Sequence, residues 1–377
     1  LTCLIADPAS TPAAKAFWQH TGLGASSRLA AIALGQEQNA NVSAAENARS
    51  NVIGRLARIY RCERDAISLH PSGMSALHRA LQLISAIRPN RPVLQIGFPY
   101  VDVLKLPQVV FNGAELLLDD GAASVGAALE RLQPSAVVVE LPSNPLLRCI
   151  DLPTIARLAH QQGVPVIADD TIGSGVNIDG LPHADLVFSS LTKSFAGRGD
   201  VLAGSLVLSP HSPWRDQLAA SARSLQPLAE LADVDLIPLD QGSEDVVERV
   251  HQLNRNTLFL AEQLRDHPAV EKVFHPGECE NFKDLQRPGA GHGCLLSFEL
   301  KGGTPSAQKV YDALEVCKGP SLGTAFTLVC PYVLLAHYDE LVWAKRCEVP
   351  SHLLRVSVGL EEQPDLWKRF LLALDSA

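Results

Sequence analysis

Between Pro92 and Leu208 the chain repeats one pattern: a short run apolar on both faces, then a segment with helical spacing, then another apolar run. The runs are Pro92–Ile96, Ala114–Leu118, Ala136–Glu140, Val164–Thr171, Ala184–Ser189 and Gly204–Leu208. A sheet wet on one face would alternate apolar and polar residues. Runs without that alternation need cover on both faces, which crossover helices supply to a mostly parallel sheet. The pattern therefore predicts an α/β domain. The intervening signals agree: Asp151 is placed to cap a helix with Pro153 in its first turn and Gly163 as its stop. Ligands of such sheets bind beyond the carboxyl ends of the strands. Polar residues gather there, at Phe98-Pro99-Tyr100, at Leu141–Pro145, at Asp169-Asp170-Thr171 and at Ser189–Lys193.

The rest of the chain reads differently. With 377 residues, 46% of them hydrophobic, it is long enough for two domains. Residues 1–45 are alanine-rich with helical spacing and no strand pattern, which predicts an N-terminal arm. Within it, Phe17-Trp18-Gln19-His20-Thr21-Gly22 through Arg28 is an aromatic and polar cluster beyond what a cap helix needs. It fits an arm packed on a neighbouring subunit, or a part of a site. Ala44–Tyr60 has one apolar helical face. From Leu225 to Gln241 the alternation dissolves into an acidic, proline-containing stretch, followed by a helix from about Val246 to His267. Strand patterns then recur around Val273, Cys294–Leu300 and Leu354–Val358, which predicts a smaller α+β domain. The expected division is an arm (1–45), a large α/β domain (46–245) and a C-terminal domain (246–377).

Composition excludes several functions. A net charge of −9 with no long Lys/Arg run argues against a nucleic-acid surface, since nothing could neutralise successive phosphates. The eight cysteines are scattered, without a C-x-x-C pair or a Cys/His cluster at metal-ligand spacing. That pattern predicts reduced thiols, a cytoplasmic setting and no metal. No leader segment is expected, and no apolar run reaches the roughly 20 residues a membrane span requires.

One segment concentrates the chemistry. Leu186–Ser190 runs as a strand into Leu191-Thr192-Lys193, then into a glycine-punctuated loop ending at Asp200. A lysine just past a buried strand can lose solvation, which moves its pKa toward the free amine that attacks carbonyls. The hydroxyls before it suit a phosphate. Together they suggest a lysine that carries pyridoxal phosphate (PLP), against the plainer reading of a solvated surface lysine. Upstream, Ser72-Gly73 opens a helix whose stripe Met74, Leu77, Leu81 and Ile84 faces a core. Backbone N–H groups of Gly73 and Met74 then sit at a helix N-terminus suited to an anion, though a Ser-Gly start also serves as an ordinary N-cap.

These motifs, in this order, resemble the Cys/Met-metabolism (transsulfuration) family of PLP-dependent enzymes, which includes cystathionine γ-synthases and γ-lyases. The likeness runs from about Ala44 to the C-terminus. Ser72-Gly-Met74, Glu140-Leu-Pro-Ser-Asn-Pro145, Ala168-Asp-Asp-Thr171, Ser190-Leu-Thr-Lys193, Ser321-Leu-Gly323 and Leu354-Arg-Val-Ser-Val-Gly-Leu-Glu361 carry it. The resemblance implies the aspartate-aminotransferase-like fold, fold type I. It also implies roles. Lys193 would be the PLP lysine, and Asp169 the partner of the pyridine nitrogen. Gly73, Met74, Ser190 and Thr192 would bind the phosphate, with Thr171 beside the cofactor. Tyr100 would stack on the ring and move protons. Asn144 would lie near the cofactor and the substrate carboxylate, and Ser321 and Arg355 at the substrate. A guanidinium suits a carboxylate better than an ammonium does because it binds in a fork.

The departures from the family are as informative. The usual Tyr-x-Arg, which reaches across a dimer to the neighbour's phosphate, is absent from Asn41–Arg49, so Arg28 or Arg49 is a candidate replacement. The segments Phe98-Pro-Tyr-Val-Asp102 and Ser26-Ser-Arg28 resemble divergent fungal-type cystathionine γ-synthases. The implied activity is γ-replacement on an activated homoserine. Its alternatives are γ-elimination from cystathionine, methionine or an unusual γ-substituted amino acid, and a PLP-binding protein with decayed or regulatory function. The implied partner is a small amino acid, and the implied assembly a homodimer or homotetramer with sites at subunit interfaces.

Overall fold

The computed structural model describes Ile5 and residues 7–376. Its organising element is a seven-stranded sheet: β1 (Ile67–His70), β2 (Val93–Ile96), β3 (Ala114–Leu117), β4 (Val137–Glu140), β5 (Val166–Asp169), β6 (Leu186–Ser190) and β7 (Gly204–Leu208). The order is β1-β7-β6-β5-β4-β2-β3. Strands β3, β2, β4, β5 and β6 are parallel; at one edge β7 runs antiparallel to β6, and β1 antiparallel to β7. Helices cover both faces, so the inner strands are buried along their length, as runs without alternation require. A second sheet follows: β8 (Val270–Phe274), β9 (Leu295–Leu300), β10 (Cys317–Lys318), β11 (Leu328–Pro331) and β12 (Leu354–Ser357), ordered β10-β11-β12-β9-β8 and antiparallel except for β10 with β11. The helix Val246–Asp266 packs against β8 and β9. Among the described residues, no helix is long and apolar enough to cross a membrane.

Local signals explain the helix ends. The Asp151 carboxylate accepts from the Thr154 N–H at 3.0 Å, with Pro153 in the first turn, and Gly163 takes positive φ beyond the end of Leu152–Gln161. Ser72 and Ser75 form a reciprocal capping box at the start of Gly73–Ile87.

Three stretches differ from the sequence reading. The supposed irregular segment holds a helix, Asp233–Gly242, that tolerates Pro238. Asp233 and Asp235 sit favourably in its first turn, and Leu236 and Leu239 bury against the helix Val42–Tyr60, so packing outweighs the lost hydrogen bond. Strand β1 was hidden because only four residues pair, at an antiparallel edge. Strands β10, two residues long, and β11, four residues ending at Pro331, were also unseen, being short. The arm forms helices Thr11–Thr21 and Ser27–Ala33, and the first packs on helices Val101–Val110 and Gly73–Ile87 of its own chain.

Candidate active site

The carboxyl ends of β4, β5 and β6 deliver Glu140, Asp169 and Ser190 side by side, Glu140 in register with Asp169 and Asp169 with Phe188. From the second sheet, β12 contributes Arg355. Between them lies a cavity of about 530 Å³. Gly73, Met74, Tyr100, Asn144, Asp169, Thr171, Ser190, Thr192, Lys193, Ser321 and Arg355, the residues given a cofactor or substrate role from sequence apart from the two clamp candidates, line it.

Lys193 follows β6 in a tight turn, its N–H donating to the Ser190 carbonyl at 3.2 Å and its carbonyl accepting from the Gly197 N–H at 2.9 Å. Its Nζ donates to Ser321 Oγ at 3.4 Å. Burial, helped by the cation of Arg355, lowers its pKa to about 8. The loop carrying Ser321 closes on the lysine through Gly323, at φ +73°, where a Cβ would stand 2.3 Å from the Ser194 nitrogen. Arg249, which the sequence reading passed over, braces the lysine loop from behind by donating to the carbonyls of Phe195 at 2.7 Å and Gly242 at 2.8 Å.

A prediction follows for the apoprotein. Amine-directed acylation of Lys193, followed by peptide mass spectrometry, is expected to show a midpoint near pH 8, where ordinary lysines need about 10.4. Arg355→Met should raise it, because removing a neighbouring cation favours the protonated amine. A Lys193 midpoint like that of surface lysines would refute the desolvated site.

Asp169 is buried at the end of β5, and burial raises its pKa to about 6 against the opposing Thr171 hydrogen bonds. The Thr171 N–H donates to it at 2.9 Å, while the Thr171 hydroxyl accepts from the Ser190 N–H at 2.9 Å. Glu140, also buried, accepts from the backbone N–H groups of Tyr100 at 3.0 Å and Asn144 at 3.2 Å. Burial, then the charge of Asp169, pushes its pKa up. Arg355 is 2% exposed. It donates to Asn144 Oδ1 at 3.1 Å, to the Ser321 carbonyl at 3.2 Å and to the Pro320 carbonyl, while its Nε–H has no partner among the described residues. The Tyr332 ring lies 4.9 Å from the Arg355 guanidinium carbon, and its buried hydroxyl also lacks a partner among the described residues.

The site fits PLP on its own chemistry. A buried carboxylate with a raised pKa, Asp169, lacks a cation that a protonated pyridine nitrogen would supply. The Gly73 start of a helix comes so close to β6 that a Cβ would meet the Ser190 Cβ at 2.8 Å, which leaves backbone N–H groups beside the Ser190 hydroxyl. Thr192 also lines the cavity, with its hydroxyl accepting from the Ala203 N–H at 3.1 Å.

Other lining residues were not singled out from sequence: Gln19, Asp102, Glu140 and Tyr332. The arm cluster and the Val101-Asp102 departure were the available signals for the first two. Tyr332 had none, because it opens a five-residue helix, Tyr332–Ala336, just after β11, a strand that was not recognised. Behind the site, the Tyr60 hydroxyl donates to Asp170 at 2.8 Å. The two clamp candidates do not line the cavity. Arg28 pairs with Asp235 at 3.3 Å and Asp200 at 3.7 Å, and Arg49 with Asp233 at 3.7 Å.

Comparison with known proteins places this site in context. The sequence profile described as Cys/Met metabolism PLP-dependent enzyme matches residues 34–375. A cystathionine γ-synthase of Neurospora crassa is 38% identical over 85% of this chain and 53% of its own length. An L-2-amino-4-chloropent-4-enoate dechlorinase/desaturase of Streptantibioticus cattleyicolor is 32% identical over 98% of this chain and 78% of its own. Among solved structures, a cystathionine γ-lyase of Micromonospora echinospora superposes with a TM-score of 0.74 at 28% identity, covering 85% of each chain. The chain spans about half the length of the fungal relatives it matches.

Proposed function

Because this chain belongs to the Cys/Met metabolism family of PLP-dependent enzymes, we propose that it catalyses γ-replacement on an activated homoserine, as a cystathionine γ-synthase does. The observation that supports this most is the desolvated Lys193 amine, set in one cavity with the buried acid Asp169 and the buried cation Arg355. Gly73, Met74, Ser190 and Thr192 would hold the phosphate, Thr171 would lie beside the ring, and Asp169 would pair with the protonated pyridine nitrogen. Bound PLP supplies an electron sink for negative charge at the substrate Cα.

The chain's own groups do the rest. Arg355, oriented by Asn144, binds the substrate α-carboxylate, and Ser321 holds Lys193 Nζ beside it. Lys193 as free amine removes the Cα proton. Tyr100 stays protonated, since burial and then the charge of Asp102 push its pKa up, and its phenol donates toward the group leaving Cγ. At Cγ the C–O bond to the acyl carboxylate breaks, a C–S bond to a thiol forms, and the thiol proton balances the departing carboxylate.

Likeness to the dechlorinase/desaturase over nearly the whole chain favours a second reading, γ-elimination from an unusual γ-substituted amino acid. Incubation with O-acetyl- or O-succinylhomoserine, with and without cysteine, and with cystathionine separates the two by mass spectrometry. Thioether product that needs both substrates is the expected result. A 2-oxo acid with ammonia and no thioether would replace synthase by lyase, and no turnover by a PLP-loaded protein would favour a decayed or regulatory role.

The proposed divisions are the arm (1–45), the PLP-binding domain (46–245) and the C-terminal domain (246–377), each sheet falling within one of the last two. A cytoplasmic setting is supported by seven unpaired cysteines among the described residues; Cys3 lies outside them. A homodimer or homotetramer is supported by exposed apolar side chains such as Leu34 and Val42.

A further inference from the structure

The arm cluster that stood out in the sequence has no role in the chemistry above beyond Gln19 lining the cavity. Its helix Thr11–Thr21 nevertheless ends against that cavity. His20 Nδ1 lies 2.8 Å from Asp102 Oδ1, with 13% and 14% of the two side chains exposed. Gly22 caps the helix at φ +65°, and its carbonyl accepts from the Ser72 hydroxyl at 2.9 Å. A Cβ at Gly22 would stand 2.2 Å from Ser72 Oγ and 2.7 Å from Met74 Cβ, so the arm presses on the start of the phosphate-side helix. Asp102 sits in the first turn of the helix that Tyr100 opens, and lines the same cavity.

We propose that His20 and Asp102 form a positioning pair for Tyr100, which makes the arm a working part of its own chain's active site. This rests on the reading that Tyr100 acts as a proton donor there. The imidazole Nδ1–H donates to the carboxylate and fixes it, and the fixed carboxylate keeps the phenol in its protonated, donating form. The charged and titratable groups acting on Tyr100 come from every side. Asp102 belongs to its own helix and Glu140 to β4. Arg355 comes from β12, Tyr332 from the segment after β11, and His20 acts through Asp102. After burial, Asp102 is the largest influence on the phenol, and Arg355 opposes it. Removing Asp102, or freeing it by removing His20, therefore lowers the pH at which Tyr100 ionises.

The test uses apoprotein labelled with [13Cζ]tyrosine, the Tyr100 resonance being the one lost in Tyr100→Phe. Asp102→Asn and His20→Ala should each shift that resonance at neutral pH and lower the pH at which it ionises. His20→Asn, whose amide stands where Nδ1 stood, should restore it, and the double variant should fall no further than Asp102→Asn alone. In the PLP-loaded enzyme, kcat should fall in both single variants while KM for the amino-acid substrate and the cofactor absorbance persist. An unmoved Tyr100 resonance in His20→Ala, or His20→Asn behaving like His20→Ala, would overturn the pairing. If Asp102→Asn does not fold, His20→Ala alone decides. A parent protein that binds no PLP would sink the functional reading while leaving the apoprotein titration to judge the pair.

Discussion

Lys193→Ala is expected to yield a folded protein without the absorbance near about 420 nm that PLP has on a lysine, and with turnover reduced by at least about 10²- to 10⁴-fold, the worth of a positioned general base alone. Both losses should occur together because one amine serves as cofactor anchor and as base at the substrate Cα. The surrounding structure should survive. Among the described residues Lys193 makes one side-chain hydrogen bond, a long one to Ser321, and the loop is held by Arg249 and by backbone bonds that alanine keeps. Absorbance spectra of the two purified proteins, with unfolding curves as control, decide the matter. A band retained in Lys193→Ala would move the anchor elsewhere.

Arg355→Ala should have the other large effect, of a different kind. Its guanidinium is buried and engages Asn144, Pro320 and Ser321, so truncation removes the cation that would face the substrate carboxylate and leaves those acceptors bare. A loss of about 2–5 kcal/mol in substrate binding is expected, roughly a 30- to 4,000-fold rise in KM where KM reports binding. Cofactor absorbance should persist, since no phosphate-side residue depends on Arg355. Arg355→Lys should recover little, because an ammonium cannot reproduce the fork. Loss of PLP with unchanged KM would reassign the residue.

How much of this was legible beforehand depends on how each residue declares itself. Lys193, Asp169 and Gly73 stand at ends of strands or starts of helices, where apolar runs stop and polar residues begin, so local pattern and motif order pointed to them. The inner strands β2, β4, β5 and β6 were legible for the same reason: burial on both faces writes an unbroken apolar run. Strand β1 and helix Asp233–Gly242 were not, because partners distant in sequence hold them, β7 for one and Val42–Tyr60 for the other. Arg249 and Tyr332 were invisible for a related reason. Each acts across a gap of dozens of residues, on a loop or a guanidinium that only the folded chain brings near. The fungal-type departures at Asp102 and in the arm were visible as departures, but their meeting at 2.8 Å required the fold.

Glu140 ties two parts of the cavity to one side chain: its carboxyl receives the backbone N–H of Tyr100 and that of Asn144. A mutation there disturbs the ring-side and carboxylate-side walls at once, so almost any change is penalised twice. Lineages of this protein that acquire new substrates are therefore channelled toward lining residues that hold no second segment in place, such as the apolar Leu335 and Ala336, which can change one at a time.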